Sequence, residues 1–119
     1  MPIGFYETMP EADGRRRCIV GIRGQAEDPA YPVDIWFDSL KSVANVLSIE
    51  NQQLLKIIAE HEPKTITELA ALTGRAVSNV SRTLKTLKKY DLVTLSRSKN
   101  TLVARINHQE FVVVINNEK

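Results

Sequence analysis

Residues 74 to 90, Gly-Arg-Ala-Val-Ser-Asn-Val-Ser-Arg-Thr-Leu-Lys-Thr-Leu-Lys-Lys-Tyr, constrain the fold more than any other stretch of the chain. Val77, Val80, Leu84 and Leu87 recur at a 3-4-3 spacing, which puts them on one side of an α-helix. At about 100° per residue, the opposite side carries Arg75, Ser78, Asn79, Arg82, Thr86 and Lys89, with Lys85 at its edge. No acidic residue lies between Glu68 and Asp91. The apolar side must pack against a core, while the other side suits a nucleic-acid groove. Arginine forks onto guanine, asparagine onto adenine, and serine or threonine onto phosphate. A solvated surface helix would carry the same charges, so the flanking segments decide between the two.

Upstream, Thr67 opens a short helix, Glu68 to Leu72, with Ile66, Leu69 and Leu72 turned inward. Thr73-Gly74 then turns the chain, since glycine tolerates the positive φ of a tight helix-to-helix turn, and a helix over 76–90 follows. A short helix, a glycine turn and a longer basic helix make a helix-turn-helix. After Asp91, a residue able to visit the left-handed conformation, Leu92–Leu95 alternates as a strand. Ser96–Asn100 is a polar turn and Thr101–Ile106 a second strand, so Arg97, Ser98 and Lys99 sit at the tip of a β-hairpin wing. Such a tip can reach a phosphate or the minor groove.

Two helices precede this unit. Asp38-Ser39 caps Leu40–Leu47, with Trp36 and Phe37 packing beside it. Ser48 caps the second, which buries Leu54, Leu55, Ile57 and Ile58 and ends at Pro63. Phe111–Ile115 is a last strand, whose unbroken apolar run predicts burial on both faces, under the helices or across a subunit boundary. Ahead of the helices, Ile3–Tyr6 and Arg17–Ile22 have strand character and Pro10–Gly14 a turn, with a connecting loop over Gln25–Pro32. Arg15, Arg16 and Arg17 suit either a minor-groove arm or the blunted end of an edge strand. The expected fold is α+β: a winged helix-turn-helix, three helices plus a hairpin wing, with an N-terminal β-strand extension. Residues 1–38 form the extension, for dimerisation or partner contact, and residues 39–119 the reading domain.

Charge is unevenly distributed. Between Pro63 and Ile106, nine basic residues (Lys64, Arg75, Arg82, Lys85, Lys88, Lys89, Arg97, Lys99, Arg105) face two acidic ones (Glu68, Asp91), a net of +7. With +2 for the whole chain, the remainder carries −5. A concentrated positive field is the electrostatic footprint of a phosphate-backbone binder. The single cysteine, Cys18, excludes an internal disulfide and, in a strand, is a small buried side chain. There is no signal-peptide pattern, and no apolar run approaches the roughly 20 residues of a membrane helix. A soluble cytoplasmic protein with no membrane partner is expected. His61 and His108 stand without the cysteine or carboxylate company of a metal site. Paired catalytic carboxylates, a Cys–His pair and a phosphate-cradling glycine loop are likewise missing, so neither enzyme activity nor a cofactor is expected. The seven aromatics (Phe5, Tyr6, Tyr31, Trp36, Phe37, Tyr90, Phe111) are too few to line a roomy ligand pocket.

Thr65-Ile-Thr-Glu-Leu-Ala, Gly74, Val77-Ser-Asn-Val-Ser-Arg-Thr-Leu-Lys-Thr-Leu and Asp91-Leu-Val together resemble the winged helix-turn-helix of MarR- and ArsR-like transcription regulators. Trp36-Phe-Asp-Ser, Val46-Leu-Ser and Asn51-Gln-Gln-Leu-Leu are similar to a smaller group of short, MarR-like DNA-binding proteins, so the resemblance spans roughly residues 36 to 115. It implies a dimeric regulator on double-stranded DNA. Ser78, Asn79 and Arg82 would face bases, Thr67 and Lys64 would touch phosphates, and Arg97 and Lys99 would sit in the wing, with Arg75, Lys85, Thr86 and Lys89 completing the surface. The sequence departs from the pattern in having Asp91 where glycine is usual, and in a short wing without glycine. Some relatives of this kind are antitoxins, which leaves open a module that neutralises a toxin protein and regulates its own operon.

Overall fold

The computed structural model describes residues 16–25 and 30–115. In chain order the elements are β1 (Arg17–Ile22), β2 (Ile35–Phe37), α1 (Leu40–Val46), α2 (Ile49–His61), α3 (Ile66–Thr73), α4 (Val77–Lys89), β3 (Val93–Ser98), β4 (Thr101–Ile106) and β5 (Glu110–Val113). They fall into two compact units: Phe37–Asn107 is one, and the residues up to Trp36 with those from His108 onward form the other. The expected strand at Ile3–Tyr6, the turn at Pro10–Gly14 and Arg15 lie outside the described residues.

In the unit Phe37–Asn107, three helices begin at a hydroxyl that accepts a backbone N–H. Ser39 takes that of Ser42 (3.1 Å), Ser48 that of Asn51 (3.2 Å) and Thr65 that of Glu68 (2.9 Å). Thr65, not Thr67, therefore opens α3. The Glu68 carboxylate turns back to accept the Lys64 N–H at 3.2 Å, a variant of the reciprocal capping box that Thr65-x-x-Glu68 spells out. Asn51 and Gln52 fix the corner between α1 and α2, their amides donating to the carbonyls of Val46 (3.0 Å) and Leu47 (2.6 Å). Gly74 ends α3 at φ 73°, its N–H returning to the Ala70 carbonyl at 2.9 Å. Only the left-handed region closes that turn, and glycine enters it without steric cost.

Val43, Val46, Leu54, Leu55, Ile58, Leu69, Ala70, Val80, Leu84, Leu87, Leu92, Val93 and Ala104 are buried. Each large side chain among them contributes about 1.5–3 kcal/mol by leaving water. Val77, placed by its spacing on the apolar side of α4, is 43% exposed. Side chains tilt toward a helix's N-terminus, so that of the first residue projects past the end of the packed stripe. Leu72, expected inside, is likewise exposed. Beyond α4, Asp91 takes φ 62° as anticipated. β3 and β4 then pair antiparallel from Val93↔Ile106 to Ser98↔Thr101, so the turn shrinks to Lys99-Asn100. Both turn residues have positive φ, 50° and 63°, as a type I′ hairpin demands. Helices α2 to α4 with this hairpin make a winged helix-turn-helix.

The second unit is a three-stranded sheet in the order β2-β1-β5. β1 and β5 run parallel, pairing Arg17↔Glu110, Cys18↔Phe111, Ile19↔Val112 and Val20↔Val113. Arg17 Nε meets Glu110 Oε1 at 2.8 Å on one face. Cys18 is fully buried on the other. The last strand thus pairs with the N-terminal segment. It is not buried on both faces: Val113 is 38% and Ile115 50% exposed. Trp36 and Phe37, adjacent in β2, part company because strand neighbours face opposite ways. Phe37 stacks on Tyr90 with ring centroids 4.4 Å apart. A methyl at Gly21 would meet Val33 Cγ2 at 2.7 Å and Trp36 Cζ3 at 2.9 Å, so only glycine admits Trp36 there.

Candidate nucleic-acid interface

Burial of Val80, Leu84 and Leu87 fixes the roll of α4 and turns its other side to solvent. Ser78, Asn79, Arg82, Lys85, Thr86 and Lys89 are all exposed. Ser78, Arg82, Lys85 and Lys89 follow one another at helical spacings of four, three and four residues, so neighbours stand about 5–6 Å apart along a stripe of about 16 Å. Asn79 and Thr86 flank it, Thr86 donating its hydroxyl to the Arg82 carbonyl at 3.4 Å. Among the described residues, Arg82, Lys85 and Lys89 have no ion-pair partner. Their charge is uncompensated at the surface.

Arg75 stands apart from this stripe. It precedes the helix, is half-buried, and sends Nη2 to the Glu50 carbonyl at 2.6 Å, tying the entry of α4 to the first turn of α2. Lys64 and Thr67 are exposed at the start of α3, and Arg97 and Lys99 at the hairpin tip. Each belongs to a different element from the stripe but to the same unit. Arg105, counted in the basic segment, is committed elsewhere. Its guanidinium donates to the carbonyls of Pro63 (3.0 Å), Ala104 (2.7 Å) and Glu62 (3.3 Å), holding the end of α2 to the wing.

One contributor escaped sequence reading. An open groove of about 520 Å³ runs beside the start of α4, lined by Glu50, Asn51, Arg75, Ala76, Asn79 and Thr83. Glu50 brings a carboxylate to the flank of a face whose own helix carries no acid. The Arg75–Glu50 contact joins residues 25 apart, so no local pattern announces it. The start of α4 has no side-chain cap, Ala76 standing where a hydroxyl would accept an N–H. Within the described residues, no group of three His, Cys, Asp or Glu side chains is placed to hold a metal, and no helix is long and apolar enough to cross a membrane.

The model of the HVO_A0114 family matches residues 46–111, more than half of the chain. The chain belongs to that family. The HVO_A0114 match takes in α2, α3, α4, the hairpin and the start of β5, and so contains every residue of the exposed stripe. No curated protein matches the chain. Among solved structures it is similar to a protein from E. coli described as a "predicted DNA-binding transcriptional regulator", with a TM-score of 0.50 and 17% identity over 59% of this chain and 75% of that one. It is also similar to NolR from Sinorhizobium fredii, with a TM-score of 0.49 and 20% identity over 55% of this chain and 65% of that one. At such identities the E. coli likeness establishes the fold that this HVO_A0114 chain shares.

Proposed function

We propose that this chain is a sequence-specific double-stranded DNA-binding transcription regulator, acting as a dimer with α4 in the major groove. The observation that carries the reading is the solvent-facing stripe of α4, where arginine, lysines, asparagine and serine stand exposed with no acid on the same helix. The shared fold with a described DNA-binding regulator supports it. A major groove about 12 Å wide admits such a helix. Arg82, Asn79 and Ser78 then reach base edges, and Lys85, Thr86 and Lys89 the flanking phosphates. Lys64 and Thr67 touch the backbone beside the short helix. Arg97 and Lys99 do so from the wing, and Arg75 holds α4 at its angle. Two-fold symmetry would present one helix to each half of a palindromic site.

Fluorescence anisotropy with duplex DNA from upstream of the protein's own gene tests the reading. Arg82→Ala is expected to lose about 1–3 kcal/mol and to relax preference at one base position, whereas Lys89→Ala weakens binding to all sequences alike. Absence of binding to that DNA at low salt would remove the regulator reading.

A further inference from the structure

We infer that the free edge of β5 is the dimer contact, joining two copies of this chain by antiparallel β5–β5 pairing centred on Val113. The inference rests on the dimer of the proposed function for its purpose, but on the strand itself for its geometry. β5 is an outer strand, with β1 on one side and, among the described residues, no strand on the other. Its hydrogen bonds to β1 come from alternate residues: Glu110 N–H donates to the Arg16 carbonyl (3.2 Å) and Val114 N–H to the Val20 carbonyl (3.0 Å). In a parallel ladder the N–H and C=O of one residue point the same way, so those of Phe111 and Val113 point outward, and Ile115 continues the alternation.

That alternation restricts the register to those that set outward-pointing residues against one another, and of these, centring on Val113 matches the whole run 111–115 to itself. Centring on Val113 sets Val113 against the partner's Val113, and Phe111 against the partner's Ile115. These are the outward-pointing residues, so each pair exchanges both main-chain bonds. A shift by one residue would set outward groups against inward ones and make none. Side chains agree with the backbone. Val113 and Ile115 share the sheet face of Cys18, Val20 and Ile22, which are buried, so a covered apolar face runs out at β5 into two exposed residues. A second strand carrying the same residues extends that face and shields them.

Chemistry favours a second copy over a foreign segment. The run Phe-Val-Val-Val-Ile holds no charge, proline or glycine, so it meets itself without like-charge repulsion. Glu110, just before it, is already neutralised by Arg17 at 2.8 Å. An uncharged, unblunted edge strand of β-branched residues invites pairing of this kind, and a closed two-fold contact uses the edge up.

Light scattering on the full chain at tens of micromolar is expected to give a dimer. Val113→Pro removes only an outward N–H, the position where an edge strand tolerates proline. It should give a monomer with an unchanged circular dichroism spectrum. Val113→Cys should cross-link the dimer on oxidation, because Cα atoms of a hydrogen-bonded pair lie about 5.5 Å apart, within disulfide range. Arg97→Cys at the wing tip should not. A monomeric wild type overturns the inference. So does a dimer that survives Val113→Pro, and, should that variant not fold, so does a Val113→Cys protein that fails to cross-link. The DNA reading fails separately: a β5 dimer that binds no DNA removes the regulator and leaves the interface, while a DNA-binding monomer does the reverse.

Discussion

Glu50 approaches the candidate interface from α2, beside Asn79 and Arg75, and two effects of opposite sign meet on its carboxylate. In the first turn of α2 it faces the positive end of the helix dipole, worth about 0.3–1 kcal/mol. Beside a duplex it would face phosphates, and a unit charge near the surface interacts with another by about 1 kcal/mol at 4 Å in water. Glu50→Gln is therefore expected to tighten DNA binding about fivefold for all sequences while lowering stability by a few tenths of a kcal/mol. Anisotropy and urea denaturation read the two effects. Relaxed preference at a single C·G pair, without tightening, would instead show the carboxylate accepting from a cytosine amino group. Arg105 makes the contrasting case. Its guanidinium satisfies carbonyls at the end of α2 that the helix itself leaves unpaired, so Arg105→Ala should cost about 1–3 kcal/mol of stability. The DNA affinity of the fraction that stays folded should be unchanged.

At the scale of elements, the wing is held by a turn that its residues only tolerate. Lys99 and Asn100 both adopt positive φ, a region costly for a side chain with a Cβ and easiest for glycine after asparagine. Asn100→Gly should stabilise the hairpin by a few tenths to about 1 kcal/mol, seen as a higher urea midpoint, and leave Lys99 free to contact DNA. The reverse change, Lys99→Val, should loosen the turn. Elements with strong local signals were legible in the sequence: the 3-4-3 spacing of α4, Gly74 at its turn, the alternation on both sides of the wing, and the serine caps of α1 and α2. Thr65-x-x-Glu68 was equally plain, but Thr67, directly before Glu68 and Leu69, offers a second capping hydroxyl two residues later. Trp36 was expected beside α1 with Phe37, but its packing depends on the lack of a side chain at Gly21, fifteen residues away. The partner of Glu110–Val113 was hidden for a like reason: a parallel pairing with Arg17–Val20 spans the whole helical segment in sequence, and periodicity carries no record of register at that distance. Of the candidate site, the exposed stripe was readable from one helix's own spacing. Glu50, Arg75's anchorage and Arg105's role depend on three-dimensional contact.

For the whole molecule, the +7 segment overstates what DNA would meet. Two of its nine basic side chains, Arg75 and Arg105, are fastened to backbone carbonyls, leaving Lys64, Arg82, Lys85, Lys88, Lys89, Arg97 and Lys99 exposed just before α3, on α4 and on the wing. Each phosphate neutralised releases condensed counterions, and log Kobs falls with log salt by about 0.9 per contact. With roughly four to seven contacts, one subunit on one half-site should give a slope of about −4 to −6. Lys89→Ala should make that slope shallower by about one unit. A dimer on a two-half site should nearly double the wild-type slope, and Val113→Pro should return it to the half-site value even on the full site. These three slopes separate causes that a single affinity would merge. A wild-type slope shallower than about −2 on DNA that still binds tightly would mean that the α4 stripe and the wing are not the surfaces in contact. Equal slopes for wild type and Val113→Pro on the full site would mean that the two copies do not bind it as one body.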